Sequence, residues 1–463
     1  MAGLSEPTIA AIATPPGPGG IGIVRISGPD AKLILSRLFT PKRPTPHPLS
    51  HHLSFGWIKR PSSGQILDEV MAVFMAAPHT YTRENVAEIH CHGNFLILHE
   101  ILVLAQEAGA RLADPGEFTK RAFLNGRLDL TRAEAVLEVL KARTVEGLRL
   151  AVNQLQGGLH RQIQEVVDAL IRLKAIIEVA IDFPDDDIEI IDADLFRLTV
   201  NSTITPTLAE LISAADNGKI FRDGIAVVII GRPNVGKSSL LNTLLREERA
   251  IVTAEAGTTR DTIEEQITVR GIPVRIIDTA GIRDSQDVVE EIGIQRSREK
   301  MALADVVLLL IDAAQPVLQE DLDLLAGVDR KRLLVVANKS DLCSPQTITA
   351  LRGRFPGHAV VAISAKHGTG IHELEEALFA QVTGQASGWD PGYSTVPNAR
   401  HRAAMSKAQA ACLDLLACLD QGLSPDLLAI ELQTVLDHLG EIVGFTTSEE
   451  VLDKIFGEFC IGK

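Results

Sequence analysis

Trp and Tyr are scarce in this chain, with 2 of each in 463 residues. An extended base-stacking platform for single-stranded nucleic acid is therefore not expected. Positive charge is also short: 45 Lys and Arg stand against 60 Asp and Glu, for a net charge of -15. That balance excludes long-range attraction of the whole molecule to RNA, so action on nucleic acid needs a local basic patch or a basic partner. Cysteines number 5, at Cys91, Cys343, Cys412, Cys418 and Cys460. An odd count without metal-ligand spacing argues against a disulfide framework or a zinc site and fits a reducing cytoplasm. No run of about 18 uncharged apolar residues occurs, so no membrane span is expected. The opening Met1-Ala-Gly-Leu-Ser5 lacks the basic region of a signal peptide. A dinucleotide fingerprint is missing too, because the Gly17 to Gly22 cluster precedes a strand instead of joining strand to helix.

What is present is a globular composition, 46% hydrophobic and 23% charged, long enough for roughly two to four domains. From Pro7 to about Phe123 short apolar runs alternate with polar stretches, an α+β pattern. The loop Thr14 to Gly20 leads there into the strand-like Ile21 to Ile26. From Asp129 to Ala180 the period becomes helical, with Ala133, Val136, Leu137 and Leu140 on one face. Thr131-Arg-Ala-Glu134 reads as a capping box, Gly157-Gly158 as a break, and the acidic Asp182 to Asp187 as an end. A second helical block follows Trp389. There Leu428, Leu432, Val435, Leu436, Leu439 and Val443 trace one face, and Ser424-Pro425 starts the helix. Between the two blocks, apolar runs at Ala226–Ile230, Val274–Ile277, Val306–Ile311, Leu333–Ala337 and Ala359–Ile363 alternate with helical stretches. This predicts a mostly parallel sheet with ligand loops at the strand C-termini, and an edge hairpin over Thr262 to Pro273. The expected organisation is multidomain α/β. An α+β domain covers 1–123, an all-α domain is made from 124–219 with 384–463, and a doubly wound P-loop domain of Ras-like kind is inserted at 220–383.

The chemistry concentrates in the inserted segment. Gly231-Arg-Pro-Asn-Val-Gly-Lys-Ser238 matches G-x-x-x-x-G-K-[ST] between a buried strand and a helix. Backbone N–H groups of Asn234, Val235, Gly236, Lys237, Ser238 and Ser239 would meet phosphates, with the Lys237 charge added and Ser238 on Mg²⁺. Downstream lies Thr258-Thr259, with Thr259 suited to close over Mg²⁺ and a γ-phosphate. In Asp278-Thr279-Ala280-Gly281 the Asp is a further acid for Mg²⁺, and Gly281 offers its N–H. Asn338-Lys339-Ser-Asp341 puts a carboxylate where guanine has two N–H donors and adenine has none, so GTP is expected over ATP. Ser364-Ala365-Lys366 would line the base.

Many GTPases place a glutamine directly after Asp-x-x-Gly to orient water; here the residue is Ile282. Either hydrolysis is weak, or another residue and another source of positive charge act. The acidic stretch Asp284 to Glu291 offers candidate bases, and reads equally as the solvated start of a helix.

Several strings lie outside the nucleotide motifs: Ala13-Thr-Pro-Pro-Gly17, Gly22 to Gly28, Pro115 to Asn125, Ala180 to Pro184, Gly257-Thr-Thr-Arg-Asp261 and Phe459-Cys-Ile-Gly-Lys463. With them the chain resembles the MnmE (TrmE) family of tRNA-modification GTPases over nearly its whole length. The resemblance implies a folate-binding N-terminal domain that forms a homodimer, a helical domain and the inserted G domain. It implies potassium in place of an arginine finger, held by Asn234 and by Thr253, Glu255 and Thr258 in the nucleotide-contacting loop Thr253-Ala254-Glu255-Ala256-Gly257-Thr258-Thr259. It puts the catalytic glutamate on Glu290, which would position water. Folate ligands transfer to Arg25, Glu88, Arg127 and Lys463, with lysine common in the family where Arg127 stands here. Read alone, Arg25 could be a surface charge and Glu88 could pair with Arg83. Cys460 is the functionally implicated cysteine; Gly462 and Lys463 argue against reading it as a prenylation box. The reaction implied is addition of a carboxymethylaminomethyl group to C5 of a tRNA wobble uridine. A 5-formyl- or methylene-tetrahydrofolate would donate carbon, and the FAD-binding MnmG (GidA) protein would be partner. The competing reading is a regulatory GTPase of ribosome assembly, which the G domain alone does not separate.

Overall fold

A computed structural model describes residues 6–43, 49–183, 191–247, 265–277, 301–325, 328–384 and 395–463. The chain divides into two compact units. One comprises Met1–Leu137, Leu155–Val200 and Lys407–Lys463, the other Glu138–Gln154 and Asn201–Ser406.

The first unit opens with β1 (Ile9–Ile12), β2 (Gly19–Ser27), α1 (Ala31–Leu38), β3 (Phe39–Pro41), β4 (Ser54–Lys59), β5 (Ile66–Met75) and β6 (Val86–Gly93). Helix α2 (Phe95–Glu107), β7 (Arg111–Leu112) and α3 (Glu117–Leu124) follow. The strands form one sheet in the order β3-β4-β5-β6-β2-β1-β7. Alternation along β2 and β6 sends Val24, Ile26, Ala87 and Ile89 into a core with Ile34 of α1 and Ile101 of α2. The opposite face packs Ile9 and Ala11 against Phe118 of α3. Arg25 and Glu88 belong to that second face by the same alternation.

Helices α4 (Leu130–Lys141), α5 (Val145–Leu155), α6 (Gly158–Asp182), α7 (Ala193–Thr199) and α8 (Thr205–Asp223) come next. Gly157, at φ 84°, separates α5 from α6, and α6 stops at the acidic run. The cap of α4 differs from expectation. Asp129, not Thr131, closes its first turn, with Oδ1 accepting from the Arg132 N–H at 3.0 Å. The Thr131 hydroxyl is itself spent on Asp129 Oδ1 at 2.5 Å, so the helix begins two residues earlier.

The second unit contains β8 (Ile225–Ile230), α9 (Lys237–Glu247), β9 (Glu265–Val269), β10 (Ile272–Ile277), β11 (Val306–Asp312), α10 (Gln319–Asp323), β12 (Leu333–Asn338), α11 (Pro345–Arg354), β13 (Ala359–Ala362) and α12 (Ile371–Thr383). Its sheet runs β13-β12-β11-β8-β10-β9, parallel except for the expected antiparallel edge strand β9. β8 is buried on both faces: Val227 and Ile229 enter one core, Val228 and Ile230 the other. The described loops after β8, β12 and β13 thus emerge on one side, where these strands end together.

The last helices are α13 (Ala399–Asp420), α14 (Pro425–Val443) and α15 (Glu449–Gly457). On α14, Leu428, Leu432, Val435, Leu439 and Val443 are buried as expected, while Leu436 is half-buried. α14 packs on α6, where Lys174 Nζ donates to Gln433 Oε1 at 2.8 Å. Thr447-Ser-Glu-Glu450 has the spacing of a capping box, which predicts Thr447 as the N-cap, but that box does not form. Ser448 is the N-cap residue without a side-chain bond, because the Thr447 hydroxyl donates back to the Glu441 carbonyl at 3.2 Å.

Helix α15 folds the tail onto the start of the chain. Leu452, Phe456 and Phe459 are buried with Leu130 and Ala133, and Lys120 Nζ meets Asp453 Oδ1 at 2.6 Å. Burying each large side chain is worth at most roughly 1.5–3 kcal/mol. Beyond α15, Gly462 takes φ 98°, and a Cβ there would lie 2.2 Å from the Ile12 carbonyl oxygen. Gly462→Ala should therefore cost about 1–3 kcal/mol of local strain and lift the tail from β1. Hydrogen exchange followed by mass spectrometry should show faster exchange in peptides after Ser448 and none in peptides of β8 and β12.

Candidate functional site

The end of β8 is shaped by close approaches. Gly231 takes φ 150°, and a Cβ there would stand 2.3 Å from the Leu310 carbonyl oxygen. Asn234 adopts φ 64° and Gly236 φ 103°, where a Cβ would strike Asn338 Nδ2 at 2.2 Å. These turns bring the chain into α9 with its first-turn N–H groups free of intrahelical partners, the arrangement that attracts phosphate. Lys237 opens α9 and folds over the loop, its ammonium donating to Gly231 O at 2.8 Å and Arg232 O at 2.9 Å. Burial lowers its pKa. Ser238 stands one position on, suited by chemistry and place to a magnesium ion at the phosphates.

Asn338, almost fully buried at the end of β12, joins three loops. Its Nδ2 donates to Val235 O at 2.8 Å, its Oδ1 accepts from Ala365 N–H at 3.0 Å, and its own carbonyl accepts from Ala313 N–H at 2.8 Å. Lys339 follows at φ 63° and donates to Asn234 O at 3.1 Å and Asp312 Oδ2 at 2.7 Å. Thr243 of α9 donates to Ala365 O at 2.7 Å. Asp341 sits on the short turn Ser340–Leu342 with its carboxylate open to solvent. The adjacent Ser364 hydroxyl, followed by the Asp341 N–H, His367 and Lys366, holds that carboxyl below its ordinary value against the opposing effect of burial. A solvent-facing, ionised acceptor beside an ordered loop is what guanine N–H donors require.

The structure therefore brings together Asn234, Val235, Gly236, Lys237, Ser238, Asn338, Lys339, Asp341, Ser364, Ala365 and Lys366. Thr253, Ala254, Glu255, Ala256, Gly257, Thr258, Thr259, Asp278, Thr279, Ala280, Gly281 and Glu290 lie outside the described residues.

A second cluster occupies the α3 face of the N-terminal sheet. The β2–β6 register puts Arg25 opposite Glu88, and Arg25 Nε meets Glu88 Oε1 at 2.8 Å. His90, two residues along the same face, lies with Nε2 3.2 Å from Glu88 Oε2. The alternative partner Arg83 is committed elsewhere, donating to Asn125 O at 2.9 Å, so Glu88 pairs with Arg25 and not with Arg83. Burial raises the Glu88 pKa, but the charge and hydrogen bond of Arg25, helped by His90, outweigh it and hold the carboxyl below its usual value. The stability this pair contributes is present above the ordinary carboxylate pKa and is lost as pH falls through the lowered one.

Tyr81 lies near two cations, its centroid 4.5 Å from the Arg127 guanidinium and 5.9 Å from that of Arg25. Phe118 is 5.8 Å from Arg25 on another side, and its N–H donates to Lys463 O at 3.2 Å. Arg25, Glu88, Arg127 and Lys463 thus share one neighbourhood. Cys460 is exposed on the same tail, with its carbonyl accepting from Lys463 N–H at 3.3 Å. Sequence reasoning missed Tyr81 and His90. The strand period could have found His90, which repeats the Glu88 face.

Two family models match this chain, "GTP-binding protein TrmE N-terminus" over residues 8–127 and "MnmE helical domain" over 130–460. Full-length relatives named "tRNA modification GTPase MnmE" agree. That of Desulfotalea psychrophila is 47% identical over 460 residues, covering 98% of each chain. Those of Geotalea uraniireducens and Geobacter sulfurreducens are 46% and 45% identical, covering 99% of each chain. The chain belongs to the MnmE (TrmE) family of tRNA-modification GTPases. Among the described residues no helix is long and apolar enough to cross a membrane.

Asp341→Asn replaces one acceptor by a donor. Nucleotide titration should show GTP affinity falling by about tenfold or more and a gain for xanthosine triphosphate; unchanged GTP affinity would remove Asp341 from base recognition.

Proposed function

We propose that this MnmE-family chain couples GTP hydrolysis to carboxymethylaminomethyl addition at C5 of the wobble uridine of certain tRNAs. A 5-formyl- or methylene-tetrahydrofolate supplies the one-carbon unit at the N-terminal cluster, and an FAD-binding MnmG (GidA) partner supplies flavin chemistry. The chain acts in the cytoplasm as a homodimer. Its proposed domains are 1–123, 124–219 with 384–463, and 220–383.

The observation that carries this reading is Phe118, whose N–H donates to the Lys463 carbonyl while its ring lies beside Arg25. A tail lying so near the Arg25–Glu88 pair is what a shared folate site needs, and a ribosome-assembly switch does not. Arg25 suits the folate's glutamate carboxylate, and Glu88 suits the pterin N–H groups. Tyr81 adds an aromatic ring beside both Arg25 and Arg127.

In the G domain, Ser238 and Thr259 would hold Mg²⁺, and Asn234 with Thr253, Glu255 and Thr258 would hold potassium. Bound there, the two cations supply the positive charge that a phosphoryl-transfer transition state demands. Glu290 would position water, in place of the glutamine absent at 282.

Two experiments test the reading. Deleting Cys460–Lys463 should weaken reduced-folate binding and abolish wobble-uridine modification, measured by mass spectrometry of tRNA nucleosides, with intrinsic GTP hydrolysis near normal. Cys460→Ser should impair modification more than folate binding. Full modification by the truncated protein would reject the placement of the site and leave the ribosome-assembly reading in possession. Hydrolysis should be faster in potassium than in sodium, and Glu290→Ala should lower kcat by roughly 10²-fold with nucleotide affinity kept. Equal turnover in potassium, sodium and lithium would remove the cation from the mechanism.

A further inference from the structure

Position 232 is one of the variable places in G-x-x-x-x-G-K-S, where phosphate binding asks only for a main chain. Here its side chain is nevertheless fixed. Arg232 Nε donates to Asp321 Oδ1 at 2.8 Å, and Asp321 is 1% exposed. The second oxygen of that carboxylate is also used, accepting from Leu318 N–H at 3.0 Å at the entry to α10. A buried carboxylate is tolerated where both oxygens are satisfied in this way. The other end of Arg232 is its carbonyl, which accepts from the Lys237 ammonium at 2.9 Å beside the Gly231 carbonyl at 2.8 Å. One residue thus has its side chain anchored in the protein interior and its main chain against the lysine that faces the phosphates.

We propose that Asp321 is a positioning residue of the phosphate site: through Arg232 it fixes a carbonyl that aims Lys237. The inference rests on the nucleotide reading above and extends it to a carboxylate that no motif contains. Without the anchor, the peptide after Arg232 can turn, and Lys237 loses one of its two acceptors. Its ammonium then samples orientations away from the phosphates. Di- and triphosphates suffer alike, because the lysine serves the phosphate chain and not the base.

The test is fluorescence titration of the full chain with N-methylanthraniloyl-GDP and a non-hydrolysable GTP analogue. Asp321→Asn keeps the shape and exchanges one acceptor for a donor, so both affinities should fall by about tenfold. In a Lys237→Ala background the same change should have less than about a twofold further effect, since the two residues act in series. An equal loss in both backgrounds would mean that Asp321 supports the fold only, and overturns the proposal, as does unchanged affinity in the single variant. If Asp321→Asn does not fold, Arg232→Gln breaks the same bridge from its more accessible end, and the same loss and the same cancellation are expected. Failure of the unaltered chain to bind either nucleotide would instead remove the nucleotide reading, and the inference with it.

Discussion

A single carboxamide holds the nucleotide region together. Parallel strands deliver their loops to one edge of a sheet, but nothing in the sheet makes those loops touch. Asn338 does so because an amide carries a donor and an acceptor on one rigid plane. It faces the Val235 carbonyl with one and the Ala365 N–H with the other. An aspartate at this place could not donate and a leucine could do neither, and in a buried setting water does not repair the loss. The same side chain dictates a glycine at 236, since any Cβ there would collide with it. Lys339 and Asp341 then inherit their positions from a fixed strand end.

The N-terminal unit relies on a different device, a run of charges packed on one face of a sheet. Arg121 is 1% exposed and is satisfied by Glu84, Glu117 and the Pro7 carbonyl, so it behaves as a structural rivet under α3. In the same unit, the Arg25–Glu88–His90 row is only half-buried. The two charge groups therefore differ in their exposure.

Local features were legible in the amino-acid order. The strand, glycine turn and helix around Lys237 are contiguous, so spacing alone identifies them, and the apolar runs of β8, β11 and β12 are too regular to misread. Choices between near-equal neighbours were not legible. Asp129 and Thr131 are both good caps, and only the hydroxyl's bond to Asp129 decides between them. The same holds at Thr447, whose hydroxyl turns back to the preceding helix. Pairings over long separations were least accessible. Arg25 meets Glu88 across a strand register, and Arg232 meets Asp321 across 89 positions, with no periodicity to announce either. Family resemblance supplied Arg25, Glu88 and Lys463 as a set, where residue chemistry alone left their partners open.

The docking of α15 and the tail on β1 and α3 has a consequence for biosynthesis. A chain grows from its N-terminus, and the first sheet can pair its strands early. The surface formed by Leu130 and Ala133 has to wait, because Leu452, Phe456 and Phe459 emerge after the whole of the second unit. During that interval several hundred residues are translated while an apolar patch stands uncovered beside the Arg25–Glu88 pair. The second unit can meanwhile complete both of its cores from its own residues. The fold thus sets an order of maturation, in which the nucleotide-binding part is finished while the tail has still to dock on the first sheet.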